Sequence, residues 1–313
     1  MGGAPGRSRH PRHRAAHARA RRRGASALAA RARRARQHVE RDGAAHPPGA
    51  AARAIAGRAG VRDGLRAGAH DGVGPPDHAG AGVRSLERRS HELERMDDPH
   101  VDVALLERTY RQFETVNRIV SRWRWLYVRR IRPTLPRDRT ATVLDVGSGG
   151  GDVARALASW IRSDGIDALV TGIDPDERAH AFATARPAPG VRFERASSAD
   201  LVADGRRFDV VVSNHVLHHL DDRALAGVLA DSEALTDRLA IHADLERARV
   251  PLVAFGLATW PLRRGSLLHD DGTASIRRSH RAAELRTLVP DPWRVERLAP
   301  YRLLAVLDRG RRA

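Results

Sequence analysis

The side chains able to do chemistry in this sequence gather around one glycine-rich turn and the ends of a few short apolar runs. Thr142 to Val146 is an apolar, β-branched run of the kind a buried parallel strand shows. From Asp152 onward Val153 and Leu157 stand four apart, which is helical spacing. Between them lie Gly147, Gly149, Gly150 and Gly151, where the backbone can turn sharply and a ligand can approach it closely. An acid, Asp145, precedes the loop, and a second apolar run, Ala168 to Ile173, ends in another acid, Asp174. Three histidines, His215, His218 and His219, follow a fourth apolar run that begins at Phe208. A loop at a helix N-terminus binds carboxylates or phosphates, strand-end acids accept hydrogen bonds from hydroxyls, and histidine moves protons near neutral pH.

Two nucleotide motifs fail. The dinucleotide pattern G-x-G-x-x-G has Asp152 where its last glycine belongs, and a phosphate loop needs a Gly-Lys-Ser/Thr in a chain that contains no lysine. What stands is an acid followed by alternating glycines, Asp145, Gly147, Gly149 and Gly151, and this resembles the first motif of class I S-adenosylmethionine-dependent methyltransferases. The fit is physically reasonable. The methionine carboxylate of that cofactor suits a helix N-terminus, and its ammonium suits acidic or carbonyl oxygens.

Three later stretches extend the resemblance in the expected order. Asp174, followed by Pro175, matches the acid that takes both ribose hydroxyls. Val191 to Leu201 reads as a third strand ending in Ser197, Ser198, Ala199 and Asp200, where the family places an acid on the adenine amino group. Phe208 to Leu220 looks like the family's fourth strand and following segment, with Asn214 and His215 facing the cofactor. The resemblance therefore implies S-adenosylmethionine as cofactor, held by Asp145, Gly147, Ser148, Gly149, Gly151, Asp174, Pro175, Ala199, Asp200 and Asn214.

Methyl transfer from a sulfonium needs alignment above all, and a base if the acceptor is a hydroxyl. His215, beside Asn214 at the strand end, is the first candidate for that base and His219 the second. Imidazoles bonded to backbone or helix ends are the plainer reading of each. Metal binding by His218, His219, Asp221 and Asp222 is not expected, because adjacent residues point in different directions and no spaced partner motif accompanies them.

The elements that must carry these residues read as an α/β chain. Leu106, Tyr110, Phe113, Val116, Val120, Trp123, Tyr127 and Ile131 recur at steps of three and four, an apolar stripe on one or two amphipathic helices. The family uses N-terminal helices as a lid, which makes Tyr110, Phe113 and Asn117 candidates for shaping the substrate pocket. After the glycine loop, strands and helices alternate. Asp176 is a plausible N-cap, Arg238 to Ala243 reads as a fifth strand, Ser279 to Val289 as a helix, and Arg294 to Leu298 with Tyr301 to Leu307 as a closing antiparallel hairpin. The expected fold is a Rossmann-like, doubly wound, seven-stranded, mostly parallel sheet with an antiparallel edge hairpin and an N-terminal helical lid. Residues 245–278, with Phe255, Trp260, His269, Asp270 and Asp271, depart most from a generic pattern and are expected to build the acceptor pocket.

Composition divides the 313 residues unevenly. Residues 1–95 hold 21 Arg against 8 acids, no aromatic and few large aliphatics, whereas all 13 aromatics follow residue 95. Such a segment cannot offset its ordering entropy and is expected to be disordered. A basic nucleic-acid arm, a targeting sequence and a translated stretch upstream of the true start are the competing explanations. The last is preferred, with Met96 or Val83 as the start. The expected layout is thus 1–95 disordered, 96–136 a helical lid and 137–313 the cofactor-binding domain. The absence of cysteine excludes disulfides, thiolate metal sites and cysteine nucleophiles. The longest apolar run, Val250 to Leu262, is too short to span a bilayer, so a cytoplasmic protein is expected.

The implied activity is methylation of a small-molecule acceptor, O-methylation or else C-methylation of a phenolic, quinone or polyketide-like metabolite. An RNA methyltransferase using the basic arm and a non-catalytic cofactor binder are the alternatives. Nucleic acid is not the expected partner, since the patterned domain carries a net charge of only +4. The sequence leaves the oligomeric state open.

Overall fold

A computed structural model describes residues 86–310, all of which fall in one compact unit. The expectations for residues 1–85 lie outside the described residues. Residues 86–95, grouped with the disordered segment on composition, make defined contacts: Leu86 and Glu94 are buried, and Ser90 N–H donates to Arg277 O at 3.0 Å.

The elements run α1 (Val103–Val120), α2 (Trp123–Leu126, continued by a wider turn over Tyr127–Ile131), β1 (Ala141–Val146), α3 (Asp152–Ser163), β2 (Ala168–Ile173), α4 (Glu177–Thr184), β3 (Val191–Glu194), α5 (Ser198–Ala203) and β4 (Phe208–Asn214). There follow α6 (Asp222–Leu235), β5 (Thr236–Leu245), α7 (Arg249–Thr259), α8 (Leu268–Arg278), α9 (Ala282–Leu288), β6 (Arg294–Leu298) and β7 (Arg302–Asp308). The seven strands form one sheet in the order β3-β2-β1-β4-β5-β7-β6. The first five strands pair in parallel, and β7 joins β5 and β6 antiparallel. The strand order reverses between β1 and β4, and a ligand crevice opens at such a switch point, beyond the carboxyl ends of the strands.

Strand alternation sorts the apolar side chains into two layers. Val143, Val210, Val212 and Ile241 face Trp123, Tyr127, Ile131, Leu157 and Ile161, whereas Leu144, Val211 and Ala240 face Leu225, Leu229 and Leu285. Each of the larger side chains contributes about 1.5–3 kcal/mol by leaving water. Trp123, Tyr127 and Ile131 are thus core residues, so the second half of the expected lid is structural. The stripe of threes and fours does not run on one continuous helix: Arg122 adopts a left-handed φ of 60° and breaks it between α1 and α2, and Val120 beside the break is exposed.

Two further boundaries differ from expectation. The third strand stops at Glu194, because Ser197 and Asp200 close a capping box that starts α5. The region read as one helix over 279–289 is helical only from Ala282, with Ser279 as the C-cap of α8.

The base of the switch point is fastened by Asp209. Its buried carboxylate on β4 accepts from the Thr142 amide at 2.9 Å, from Thr142 Oγ1 at 3.2 Å and from Arg139 Nη1 at 2.8 Å. Asp209→Ala is therefore expected to destabilise the fold by about 1–3 kcal/mol, the cost of leaving buried donors unmatched. Urea unfolding measures this, and a change below about 0.5 kcal/mol, the scatter of ordinary surface substitutions, would show that the strands are held otherwise.

Candidate active site

The glycine loop leaves the tip of β1 and enters α3. Gly149 has φ +50°, and nothing lies within 4 Å of where its Cβ would be, so the loop presents open space at that point. Gly151 has φ +76°, and a Cβ there would meet the Phe193 ring at 2.4 Å, so both backbone and packing demand glycine. The loop is tied to the neighbouring strand tip: Gly149 N–H donates to Asp174 Oδ2 at 2.9 Å, and Ser148 N–H donates to Ile173 O at 2.9 Å. The other Asp174 oxygen accepts from Asp176 N–H at 2.9 Å. Burial nonetheless raises the Asp174 pKa, against the lowering effect of these two amides.

Two more carboxylates surround the loop. Asp145 is 1% exposed, and its Oδ2 has no hydrogen-bond partner. Its pKa is raised well above the ordinary value by burial first and then by the charge of Asp152. Asp152 accepts from Asn117 Nδ2 at 2.9 Å, and burial raises its pKa as well. Among the described residues no arginine or histidine hydrogen-bonds to Asp145, Asp152 or Asp174. Arg155 stands beside the loop but bonds to the Gly150 carbonyl, so the three acids form a pocket with no ion pair of its own.

Helix α1 crosses above the loop. Tyr110 stacks on Phe182 with centroids 5.1 Å apart, and its Cβ would be 3.4 Å from a Cβ on Gly150. Burial, then Asp176 and Asp174, push its phenol pKa up, so it stays protonated. Asn117 reaches Asp152 directly. Phe113 is half-buried on the same helix. The structure thus brings two of the three lid candidates onto the loop.

The other expected positions are placed differently. Asp200 Oδ2 accepts from the Ser197 amide at 2.9 Å and from Ser197 Oγ at 2.7 Å, so half of this carboxylate is occupied by capping. Asn214 Oδ1 accepts from Arg302 Nη2 at 2.6 Å. Arg302, on β7, is 2% exposed and also contacts His215 Nε2. His215 has a left-handed φ of 60°, and burial followed by the Arg302 charge drives its pKa well below the usual range. With that nitrogen facing a guanidinium, His215 is not arranged as a general base, contrary to its first place on sequence.

The histidine arrangement that does form centres on His218 and His219. His218 N–H donates to Asp244 Oδ2 at 2.8 Å; its Nδ1 lies 2.7 Å from Asp244 Oδ1 and its Nε2 3.2 Å from Glu94 Oε1. His219, partly exposed, places Nδ1 3.5 Å from Asp97 and Nε2 3.7 Å from Glu94, contacts too long to be tight hydrogen bonds. It is near enough to Asp174 for its charge to lower that acid's pKa. Donor atoms of Glu94, His218 and His219 lie within 4.8 Å of one another, a spacing compatible with a metal ion. Arg278 Nη1, however, stands 3.5 Å from Glu94 and 3.4 Å from Asp97 and already supplies positive charge.

Glu94, Asp97, Arg278 and Arg302 had no signal in the sequence pattern, whereas Asp244 stands at the carboxyl end of the expected fifth strand. Glu94 is 124 residues from His218. The segment carrying it is anchored by Asp271, which accepts from the amides of Arg95 at 2.7 Å and Met96 at 3.1 Å. Arg89 adds bonds to His218 O at 2.7 Å and Leu220 O at 2.9 Å. Asp270 and Asp271, expected in the acceptor pocket, thus fasten residues 95–96.

Burial alone would lower the His218 pKa, but the Asp244 charge and the bonds to Asp244 and Glu94 outweigh it and raise it to about 9. A raised folded-state pKa contributes stability that is complete below the ordinary value of 6.5 and disappears as pH rises through about 9. The thermal midpoint is expected to fall across that window in the native chain and to lose most of this slope in His218→Asn. Parallel pH profiles for the two proteins would contradict the charged-imidazole network.

Residues 143–237 match the family described as a methyltransferase domain. No curated protein matches the sequence. Solved structures similar to this chain include magnesium protoporphyrin IX methyltransferase from Synechocystis PCC 6803 with bound SAH, at 19% identity over 68% of this chain and 90% of that one, TM-score 0.40. Human N-acetylserotonin methyltransferase in complex with SAM is similar at 13% identity over 73% of this chain and 65% of that one, TM-score 0.47. The plantazolicin methyltransferase BpumL with a substrate analogue and SAH is similar at 15% identity over 65% and 85%, TM-score 0.44. The match to a methyltransferase domain thus runs from β1 to the start of β5, the part of the Rossmann-like sheet that carries the glycine loop, Asp174 and the tip of β4.

Proposed function

We propose that this protein methylates a small molecule, by transfer to a hydroxyl oxygen of a phenolic, quinone or polyketide-like acceptor. The observation that carries the reading is the acidic pocket around the glycine loop. Asp145, Asp152 and Asp174 stand there with raised pKa values and no direct ion pair, and Asp145 Oδ2 is an orphaned buried oxygen. A ligand bearing an ammonium and a sulfonium supplies the missing positive charge. Its carboxylate would take the amides at the α3 N-terminus, and its ribose hydroxyls the free lone pairs of Asp174. Bound there, S-adenosylmethionine supplies an electrophilic methyl group on a positively charged sulfur.

The chain's own contribution is placement and proton handling. The Gly149–Asp174 bond presets the loop so that little reorganisation is needed on binding. Tyr110 and Asn117 cover the loop and exclude water. His219 is the candidate base: its ring is partly exposed, loosely held between Asp97 and Glu94, and close to Asp174. An acceptor hydroxyl at that ring would give up its proton to one of these loosely held nitrogens while its oxygen attacks the methyl in line. Asp97 and Glu94 would stabilise the imidazolium so formed.

Calorimetry on the full chain tests the pocket: Asp174→Ala is expected to weaken S-adenosylmethionine binding by about 1–3 kcal/mol, and unchanged affinity removes it from the ribose role. S-adenosylhomocysteine release with a panel of phenols tests turnover. His219→Ala is expected to lower kcat by about 100-fold with cofactor affinity unchanged, the scale of a lost general base. Full activity in that variant would exclude His219.

A further inference from the structure

Helix α7 leaves an apolar face uncovered. Its inward side packs on α8: the Phe255 ring lies against Gly272, where a Cβ would meet it at 2.2 Å, Gly256 faces Thr273, and Thr259 Oγ1 contacts His269 Nδ1 at 2.9 Å. The opposite side carries Val250, Val253 and Leu257, which are 59%, 59% and 74% exposed, and continues into Trp260 and Leu262 at 53% and 40%. These are half of the ten large apolar side chains exposed among the described residues, and they stand on one helix face and the turn after it. Contiguous exposed apolar surface of this kind marks an interaction site.

The surroundings specify the partner. From Arg247 to His269 the sequence contains four arginines and no acid. Arg249, Arg263 and Arg264 are exposed at the two ends of the apolar face, and none of them forms an ion pair among the described residues. Arg263 lies over the Trp260 ring at 3.7 Å from its centroid, which keeps a cation beside an aromatic at the rim. A protein partner with a complementary apolar face would need acids opposite three separate arginines. An anionic lipid surface meets all three anywhere on its plane, with acyl chains for the valines and leucines and a headgroup layer for the tryptophan. The helix is 11 residues, about 16 Å long, half the thickness of a hydrocarbon core, and no helix among the described residues is long and apolar enough to cross a membrane. It can lie in the interface but not span it.

We infer that α7 and the Trp260–Leu262 turn dock the protein on an anionic phospholipid bilayer, with Val253 and Leu257 inserted among the acyl chains, Trp260 at the boundary between chains and headgroups, and Arg249, Arg263 and Arg264 on the phosphates. The inference does not depend on the acceptor assignment. It would, though, put the face of the 245–278 insertion against a membrane in which a lipophilic acceptor could reside.

The test is co-sedimentation of the full chain with phosphatidylglycerol vesicles, with and without brominated acyl chains. The arginine-rich residues 1–95 also attract anionic vesicles, so binding is read again at about 1 M salt, where the Debye length is about 3 Å and charge steering is screened. The native protein is expected to retain a salt-resistant fraction and to show quenched tryptophan emission with brominated lipid. Val253→Glu with Leu257→Glu is expected to lower the salt-resistant partition by about tenfold or more, since two inserted aliphatic side chains are lost. Trp260→Phe is expected to keep binding and lose most of the quenching. All three substitutions are on exposed positions, and unchanged circular dichroism and cofactor affinity establish that the fold and the pocket survive. Equal salt-resistant binding by the double variant overturns the proposal, as does quenching that persists without Trp260. A double variant that changes from dimer to monomer in light scattering, with vesicle binding unaltered, would assign the face to a second copy of the chain instead.

Discussion

The hydrogen bond from the Gly149 amide to the Asp174 carboxylate is the constraint on which the pocket depends. It joins the tips of the neighbouring parallel strands β1 and β2, next to the place where the strand order reverses between β1 and β4, and it fixes the loop there. A glycine is required because the backbone there is left-handed and the space beside it must stay empty. An acid is required because its second oxygen has to start α4 through the Asp176 amide while lone pairs remain for a ligand. The same carboxylate thus organises the loop, the next helix and the binding surface.

Around this bond the charge distribution is unbalanced in one direction. Three acids converge on the loop without an ion pair, the Arg155 guanidinium being bonded to the Gly150 carbonyl instead, and burial raises the pKa of each. A protein whose acids all had internal cations would have little to gain from a cationic ligand. Here the electrostatic deficit is local and is met by the ligand itself, which is how a pocket can favour a sulfonium over a neutral thioether of similar shape.

The histidine cluster next to it follows the opposite rule. Asp244 and Glu94 clamp His218 from both sides, Arg278 balances Glu94 and Asp97, and only His219 keeps loose contacts. A fully satisfied buried network is rigid, which suits the role of holding residues 86–97 on the domain. The loosely held neighbour has the freedom that proton transfer needs. Residues counted with an unpatterned segment on composition therefore complete the wall of the site.

Local pattern was enough for the sheet, the loop and the order of elements. Alternation in the strands, glycines at left-handed positions and an acid ending β2 are each dictated within a few residues, so the fold class and the Asp145, Gly149 and Asp174 set were legible directly. Even there, local chemistry misled where two short-range options compete: Asp200 looked like the end of a strand, but a capping box with Ser197 was available three residues away and starts a helix instead. What only the tertiary structure decided is which side chains meet across long separations. Arg302 is brought to His215 and Asn214 because β7 inserts antiparallel beside β5, and Glu94 reaches His218 because Asp271 holds the backbone ahead of α1. Sequence spacing carries no information on such pairings, since the interactions that create them are made by elements far apart in the chain; the same is true of α7, whose outward face is apolar for a reason that lies outside the chain's own core.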